Sequence, residues 1–206
     1  MNKKFQEMEI NDYLAALGST APAPGGGAAA GLIGAQACAL AEMVSRLTES
    51  GKAEEDFKEK AAQYKEVFMM ARSIFLDLMD EDAENFSALM KLLQSPKGDD
   101  PEKRKEALEE AFKKSAEAPL QMARTMADLL PAMTELVLHC NKNVITDAVI
   151  AAEEGISCIR AAKLNVRINA KFVHDEFYNR EMEESFAAWE NAISATDAVL
   201  TYQVDI

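Results

Sequence analysis

Apolar residues recur every three or four positions along most of the chain, and this period predicts α-helices. We find no convincing strand. The predicted helices cover Ile10–Leu17, Ala28 to about Thr48, Ala53 to about Leu93, Pro101 to about Leu130, Pro131 to an interruption at Asn141–Asn143, a long segment to about Val173, and Glu181 to Tyr202. The pattern therefore predicts an all-α fold, a single-domain bundle of six or seven helices over residues 1–206.

Local signals indicate where these helices bend, start and stop. The third helix is expected to break or bend near Asp80–Asp82, and the fourth to bend at Pro119. Pro131 is expected to start a new helix, since proline is favoured at the first helical position. Thr146 or Asp147 is expected to cap the long helix that follows.

The predicted helix from Ala28 carries alanine or glycine at most positions as far as Ala41. Such a helix cannot fill the space around itself with its own side chains. We therefore predict that it lies at the centre of the bundle, with neighbouring backbones or a ligand pressed against it.

The loop before this helix contains Pro22, Pro24, Gly25, Gly26 and Gly27. The prolines exclude regular helix, and the glycines permit backbone angles that are closed to other residues. Free backbone N–H groups at a helix start can bind a carboxylate, a phosphate or the polar edge of a heterocycle. Alternatively, the glycines only admit a close helix crossing. The residues alone favour neither interpretation.

The chain has a formal net charge of −13, from 35 acidic and 22 basic residues. This charge argues against nucleic acid or an anionic membrane as a partner. The three cysteines are widely spaced and the two histidines are isolated, so we predict neither a disulfide framework nor a metal site. Neither a secretory signal nor a membrane-spanning run is evident, and a cytoplasmic location is expected.

One face of the predicted helix that ends near Val173 is polar. Asp147, Asn165 and Asn169 share it with small residues, as expected for a helix that lines a polar cleft. On a straight helix, Asp147 and Asn165 would be roughly 27 Å apart. They could therefore act on one atom only if the helix breaks or a partner subunit intervenes.

Arg160, Lys163 and Arg167 form a basic stripe on the opposite side of the same helix. The stripe could attract an anionic ligand. A solvated basic face, or pairing with acidic helices elsewhere, is the simpler explanation.

Asp82 shares a helix face with Met79, Phe86 and other apolar residues. Burying its charge there would raise its pKa, as an acid–base catalyst near neutral pH requires. From the residues alone, a helix-capping carboxylate at a break is equally plausible.

In order along the chain, these segments resemble the cyclodeaminase/cyclohydrolase family, which forms the C-terminal domain of formiminotransferase-cyclodeaminase and also occurs as free-standing bacterial proteins. The segments that carry the resemblance are Pro22 to Ala30, Met43 to Thr48, Asp80 to Phe86, Ser95 to Lys97, Ile145 to Ala148 and Ala162 to Asn169. One departure is Ala28, where the family pattern leads us to expect serine.

The resemblance implies an all-α homodimer that acts on a tetrahydrofolate derivative, including forms with several glutamates, without a metal or a separate cofactor. The favoured reaction is that of a cyclodeaminase, which converts 5-formiminotetrahydrofolate to 5,10-methenyltetrahydrofolate and ammonia. The alternative is a cyclohydrolase, which adds water to 5,10-methenyltetrahydrofolate and gives 10-formyltetrahydrofolate.

The resemblance also suggests roles for individual residues. Asp82 would be the acid–base group, and Asp147 would orient the substrate or act as a second acid. Substrate binding would fall to Pro24, Gly25, Gly26, Gly27, Asn165 and Asn169, with Arg160, Lys163 and Arg167 facing the glutamate tail.

Two further classes remain open. A magnesium-dependent nucleotide pyrophosphohydrolase would need Glu-x-x-Glu pairs on facing helices, whereas the acidic clusters here look exposed. A helical folate-binding or assembly module would bind folate without turnover.

Overall fold

A computed structural model describes residues 4–53, 55–96 and 100–203, with the side chains of residues 202 and 203 excepted. Six α-helices make up most of the described chain, and no strand occurs in it. The helices are α1 (Ile10–Leu17), α2 (Gly26–Glu49), α3 (Glu55–Gln94), α4 (Pro101–His139), α5 (Ile145–Ala170) and α6 (Glu176–Gln203), with short 3-10 turns at Phe5–Glu7 and Lys142–Val144. The predictions of an all-α fold and of six or seven helices are confirmed.

α2 is the central helix, as its small residues predict. It packs mainly between α3 and α5, with α4 on a further side, while α6 lies against α4 and α5. Ala30, Ala37 and Ala41 are fully buried, so the larger side chains of the core come from the neighbouring helices. These include Phe68, Phe75, Met122, Met126, Leu130, Met133, Ile156 and Ile159.

α2 has 24 residues and contains an 18-residue stretch with a mean hydropathy of 1.4, so by length and composition alone it could span a membrane. The expectation concerned uninterrupted apolar runs, and Gln36 and Glu42 interrupt this one. In this structure 61% of its apolar window is buried against other helices, as in the core helix of a folded domain.

The expected start of a helix at Pro131 was wrong, because α4 runs without interruption through Pro119 and Pro131. A proline inside a helix costs about 3 kcal/mol or more. Leu129, Leu130 and Met133 are all buried around Pro131, so continuous burial of this face offsets the local cost.

Three other expectations about helix ends were also wrong. α3 is a single helix through Asp80–Asp82, so Asp82 does not cap a helix at a break. α5 begins at Ile145 without a side-chain cap, and so neither Thr146 nor Asp147 caps it. α6 begins five residues before the predicted Glu181, where the Asp175 side chain accepts backbone hydrogen bonds from the first turn.

Gly34 on α2 provides a test of the close packing. An added Cβ would lie 2.5 Å from Cδ1 of Phe75 and 2.9 Å from Sγ of Cys158. Both neighbours are fully buried. We expect Gly34→Ala to lower the free energy of unfolding by about 1–3 kcal/mol, measured by urea denaturation.

Gly18→Ala is the matched control for this prediction. Its added Cβ would meet only ordinary contacts, the nearest at 3.4 Å from the carbonyl oxygen of Leu14. We expect a change below about 0.5 kcal/mol. Equal effects of the two substitutions would contradict the packing argument.

Candidate active site

A cavity of about 380 Å³ opens where the start of α2 meets the last third of α3, the side of α4 and the end of α5. It is lined by Pro22, Ala23, Gly25, Gly26, Gly27, Asp82, Ala83, Phe86, Leu89, Met90, Leu93, Phe112, Ser115, Asn165, Ile168, Asn169 and Phe172. Among these residues, only Asp82 carries a titratable side chain. The cavity therefore combines one carboxylate, two amides and a helix N-terminus with a largely apolar wall.

At Gly27, the side chain of Asp82 lies directly against the backbone of α2. A Cβ added at Gly27 would overlap the carboxylate of Asp82, which occupies the space that any larger residue would need. The glycine therefore lets α3 deliver a carboxylate directly to the first turn of α2. Close packing and the presentation of polar groups are two results of the same contact.

Burial raises the pKa of Asp82 from 3.8 to about 6. Desolvation is the main cause, because burial disfavours the charged form. An interaction with the backbone amide of Ala28 opposes the shift by favouring the carboxylate. Asp82 can therefore both accept and release a proton near neutral pH.

The first turn of α2 also offers backbone donors to the cavity. Gly25 precedes the helix in an extended conformation, and its carbonyl oxygen accepts the first helical bond from the amide of Ala29. The N–H groups of Gly26 and Gly27, which line the cavity, have no carbonyl within the helix to which they can donate, whereas that of Ala28 interacts with Asp82. They can therefore bind an electronegative edge of a ligand.

The two asparagines of α5 reach the same region. Oδ1 of Asn165 lies 3.3 Å from the position of a Cβ at Gly26, and its Nδ2 donates to the carbonyl oxygen of Ala161 at 2.9 Å. Nδ2 of Asn169 donates to the carbonyl oxygens of Ser115 at 3.3 Å and of Asn165 at 3.0 Å. These bonds fix both amides and tie the end of α5 to α4.

The predicted substrate-binding loop lines the cavity, with one exception. Gly25, Gly26 and Gly27 are lining residues, whereas Pro24 is buried and is not among them. Pro22 and Ala23 line the wall in its place.

An aromatic pair that the sequence analysis missed also lines the cavity. The rings of Phe112 and Phe172 stack with their centroids 4.4 Å apart and an angle of 17° between their planes. Phe112 lies in α4 and Phe172 follows α5, so no local pattern could have paired them.

The basic stripe of α5 does not face this cavity. Nζ of Lys163 lies 2.6 Å from a carboxylate oxygen of Glu190, and Arg160 pairs with Asp197 at 3.3 Å. Arg167 lies over the ring of Phe186, 5.1 Å from its centroid. The structure thus directs the stripe towards α6, and pairing with an acidic helix accounts for it.

Asp147 is also remote from the cavity. It lies in the first turn of α5, near Cys140, whereas Asn165 and Asn169 lie near the other end of the same helix. One chain therefore does not bring Asp82 and Asp147 together.

Within residues 4–53, 55–96 and 100–203, no three His, Cys, Asp or Glu side chains converge as a metal site would require. The chemistry available from the described residues is proton transfer by one carboxylate, together with polar recognition by backbone and amide groups.

Comparison with known proteins identifies the family of this chain. A family model described as formiminotransferase-cyclodeaminase matches residues 9–188. The methenyltetrahydrofolate cyclohydrolase of Methylorubrum extorquens is 33% identical over 174 residues, which is 84% of each chain. The formimidoyltransferase-cyclodeaminase of Sus scrofa is 30% identical over 181 residues; the match covers 87% of this chain and 34% of that protein, so this chain spans about a third of its length.

A solved structure agrees with the same family. The formiminotetrahydrofolate cyclodeaminase of Thermotoga maritima superimposes with a TM-score of 0.87 and 30% identity, over 97% of both chains. The likeness therefore extends over nearly the whole fold.

The raised pKa of Asp82 predicts a pH-dependent cost to stability. The folded protein holds this proton more tightly than the unfolded chain, so stability falls as pH rises from about 3.8 through about 6. Asp82→Asn removes the buried charge. We expect its free energy of unfolding to exceed that of the wild type at about pH 7.5, and the difference to close near pH 4.

The measurement is urea denaturation of both proteins across this pH range. Asp128→Asn, an exposed position on α4, is the control and should show no such convergence. A constant difference between wild type and Asp82→Asn from pH 4 to about pH 7.5 would show that Asp82 titrates normally.

Proposed function

Because this chain belongs to the formiminotransferase-cyclodeaminase family, we propose that it acts on a one-carbon unit carried by tetrahydrofolate. The resemblance read from the sequence motifs is confirmed by these matches. The observation that carries the proposal is the placement of Asp82, a carboxylate with a pKa of about 6, over Gly27 at the polar end of a mostly apolar cavity.

The favoured reaction is the cyclodeaminase reaction. With the substrate protonated at its formimino nitrogen, N10 of 5-formiminotetrahydrofolate attacks the formimino carbon and leaves an amino group there, and the Asp82 carboxylate takes the proton that N10 loses. Asp82 then gives this proton to the departing amino nitrogen, ammonia leaves, and 5,10-methenyltetrahydrofolate remains. A single carboxylate that changes its protonation state suffices, provided that its pKa lies near the working pH.

The cavity wall supports this choice of reaction. Phe86, Leu89, Met90 and Leu93 offer no hydrogen bonds to a water molecule, whereas an attack by N10 needs no water. The flat pterin system can pack against these side chains. Its polar edge can bond the first N–H groups of α2 and the amides of Asn165 and Asn169.

The cyclohydrolase reaction is the second candidate, and the similarity to the Methylorubrum extorquens cyclohydrolase supports it about as well. Here Asp82 would take a proton from the water that adds to the methenyl carbon. It would return that proton to N5 as the ring opens, and the remaining hydroxyl proton would pass to solvent as the formyl carbonyl forms. The protein groups are the same, whereas the nucleophile and the leaving nitrogen differ.

Purified protein offered each substrate separately tests the proposal and separates the two reactions. Ammonia release from 5-formiminotetrahydrofolate supports the cyclodeaminase, and loss of methenyl absorbance above the spontaneous rate supports the cyclohydrolase. Absence of both activities would overturn the proposal, and tight folate binding without turnover would point to a binding module.

Asp82 and Asp147 can be separated by the same assay. We expect Asp82→Asn to lower kcat by about 10²–10⁴-fold, the usual contribution of general acid–base catalysis. Asp147→Asn should stay within a few-fold of the wild type, because its carboxylate lies outside the cavity. Equal losses would mean that Asp147 reaches a site in another way, such as from a second copy of the chain.

The basic stripe of α5 does not face the cavity, so it does not offer a path for the glutamate tail of the substrate. A second cavity, of about 520 Å³, shares Phe112 and Phe172 with the first and includes Lys105 and His174. Arg104 also borders it, but its guanidinium group bonds carbonyl oxygens at the end of α3. We propose that the tail passes the aromatic pair towards Lys105.

Lys105→Glu tests this path. We expect it to raise KM for a triglutamate form of the substrate by roughly two- to fivefold, and to change KM for the monoglutamate less, because exposed ion pairs are weak. Lys103→Glu, exposed and outside the cavity, is the control. The same KM change for both substrate forms would exclude this path for the tail.

A further inference from the structure

Tyr13 on α1 is a buried residue whose polar atom has no evident use. Its side chain is 4% exposed, and within the described parts of the chain its hydroxyl group has no hydrogen-bond partner. A buried tyrosine hydroxyl normally finds one. Packing explains why the ring is buried, but it does not explain the hydroxyl group.

The position of the ring relates it to Asp82. Tyr13 packs with Ala28 and Met79 in a small apolar cluster. Ala28 follows Gly27, the residue over which the Asp82 carboxylate lies, and Met79 precedes Asp82 by three residues, on the same face of α3. Tyr13 does not line the cavity, so a contact with Asp82 would be made from within the protein.

The electrostatic effect of Asp82 on Tyr13 agrees with this position of the ring. Burial raises the pKa of Tyr13, and the negative charge of Asp82 raises it further. The phenol proton is therefore held firmly, so at neutral pH the group is a hydrogen-bond donor beside a carboxylate.

The two acidic residues that precede Asp82 in the sequence have partners of their own. Asp80 accepts hydrogen bonds from the amide of Phe5 at 2.7 Å and from Gln6 at 2.9 Å. Glu81 lies 3.8 Å from Nζ of Lys114 on α4. The parts of α2, α4 and α5 that line the cavity carry no titratable side chain.

We propose that Tyr13 is a positioning residue for Asp82: its hydroxyl donates a hydrogen bond to the ionised Asp82 carboxylate and holds it in place for proton transfer. The bond is not among those present in the structure, so forming it requires the two side chains to move closer together. The apolar surroundings of Tyr13 strengthen the bond, because no water competes for it. The catalytic part of this inference rests on the proposed function, whereas the bond itself does not.

Tyr13→Phe removes the hydroxyl and keeps the ring. A hydrogen bond to the charged form favours that form, so its loss should raise the pKa of Asp82 by about 0.5–1 unit. The measurement is a carboxyl-carbon NMR titration of Asp82, which needs no turnover. In the activity assay, the acid limb of kcat/KM should move to higher pH by the same amount, with KM changed less than kcat.

Tyr178→Phe is the matched control, because Tyr178 is also a tyrosine whose buried hydroxyl lacks a partner within the described residues. The pKa of Tyr178 is raised by burial, and the charges that act on it are Lys113, Glu117 and Arg124, without Asp82. We expect the titration of Asp82 to be unchanged in this variant.

A reciprocal titration covers the case in which Tyr13→Phe folds poorly. In Asp82→Asn the charge next to Tyr13 is gone, so the pKa of the phenol, followed by ultraviolet absorbance, should fall. An Asp82 titration that is the same in Tyr13→Phe and wild type, or a Tyr13 titration that is the same in Asp82→Asn and wild type, would overturn the proposal. A protein without folate turnover that still shows both shifts would contradict the proposed function and leave this bond in place.

Discussion

Side chains of the neighbouring helices occupy the positions where Cβ atoms would stand on α2. The carboxylate of Asp82 lies over Gly27, the ring of Phe75 lies against Gly34, and the amide of Asn165 lies beside Gly26. Because α2 supplies little volume, α3 and α5 can approach its backbone, and the core is filled by the side chains that they and α4 bring. The cavity lies at the end of this close contact, beside the loop that precedes α2.

This approach couples the fold to the chemistry through desolvation. Water is displaced from Asp82 because a helix backbone lies directly beneath it, and the loss of water raises its pKa to about 6. A larger residue at position 27 would push the carboxylate away from the helix and towards solvent, where its pKa would return towards 3.8. Gly27 thus affects acid–base chemistry through the pKa of Asp82, although it neither donates nor accepts the proton itself. The cost is a less stable folded state at neutral pH, as is common where a structure holds a functional group.

Features of the fold that depend on residues close together in the sequence could be predicted. Several residues that line the cavity could be predicted as well. The helical period identified the helices, and the run of small residues from Ala28 identified the centre. Asp82 and the asparagines stood out as polar groups on unusual faces. The uninterrupted course of α4 through Pro131 could not be predicted, because burial by other helices overrides a local preference. The stacking of Phe112 on Phe172 and the pairing of Lys163 with Glu190 join residues far apart in sequence, and a single sequence carries no signal for either contact.

The two candidate reactions use the same protein groups because they make the same demand on Asp82. In each reaction a nucleophile loses a proton as it attacks a carbon between two nitrogens, and a nitrogen gains a proton as it leaves. A carboxylate placed between the two sites serves both, so its position and pKa cannot distinguish the reactions. The difference lies in whether water reaches the carbon. The wall formed by Phe86, Leu89 and Met90 offers no hydrogen bonds to water, whereas N10 arrives with the substrate at a fixed short distance. The two proposed reactions therefore differ in whether water must reach the reacting carbon.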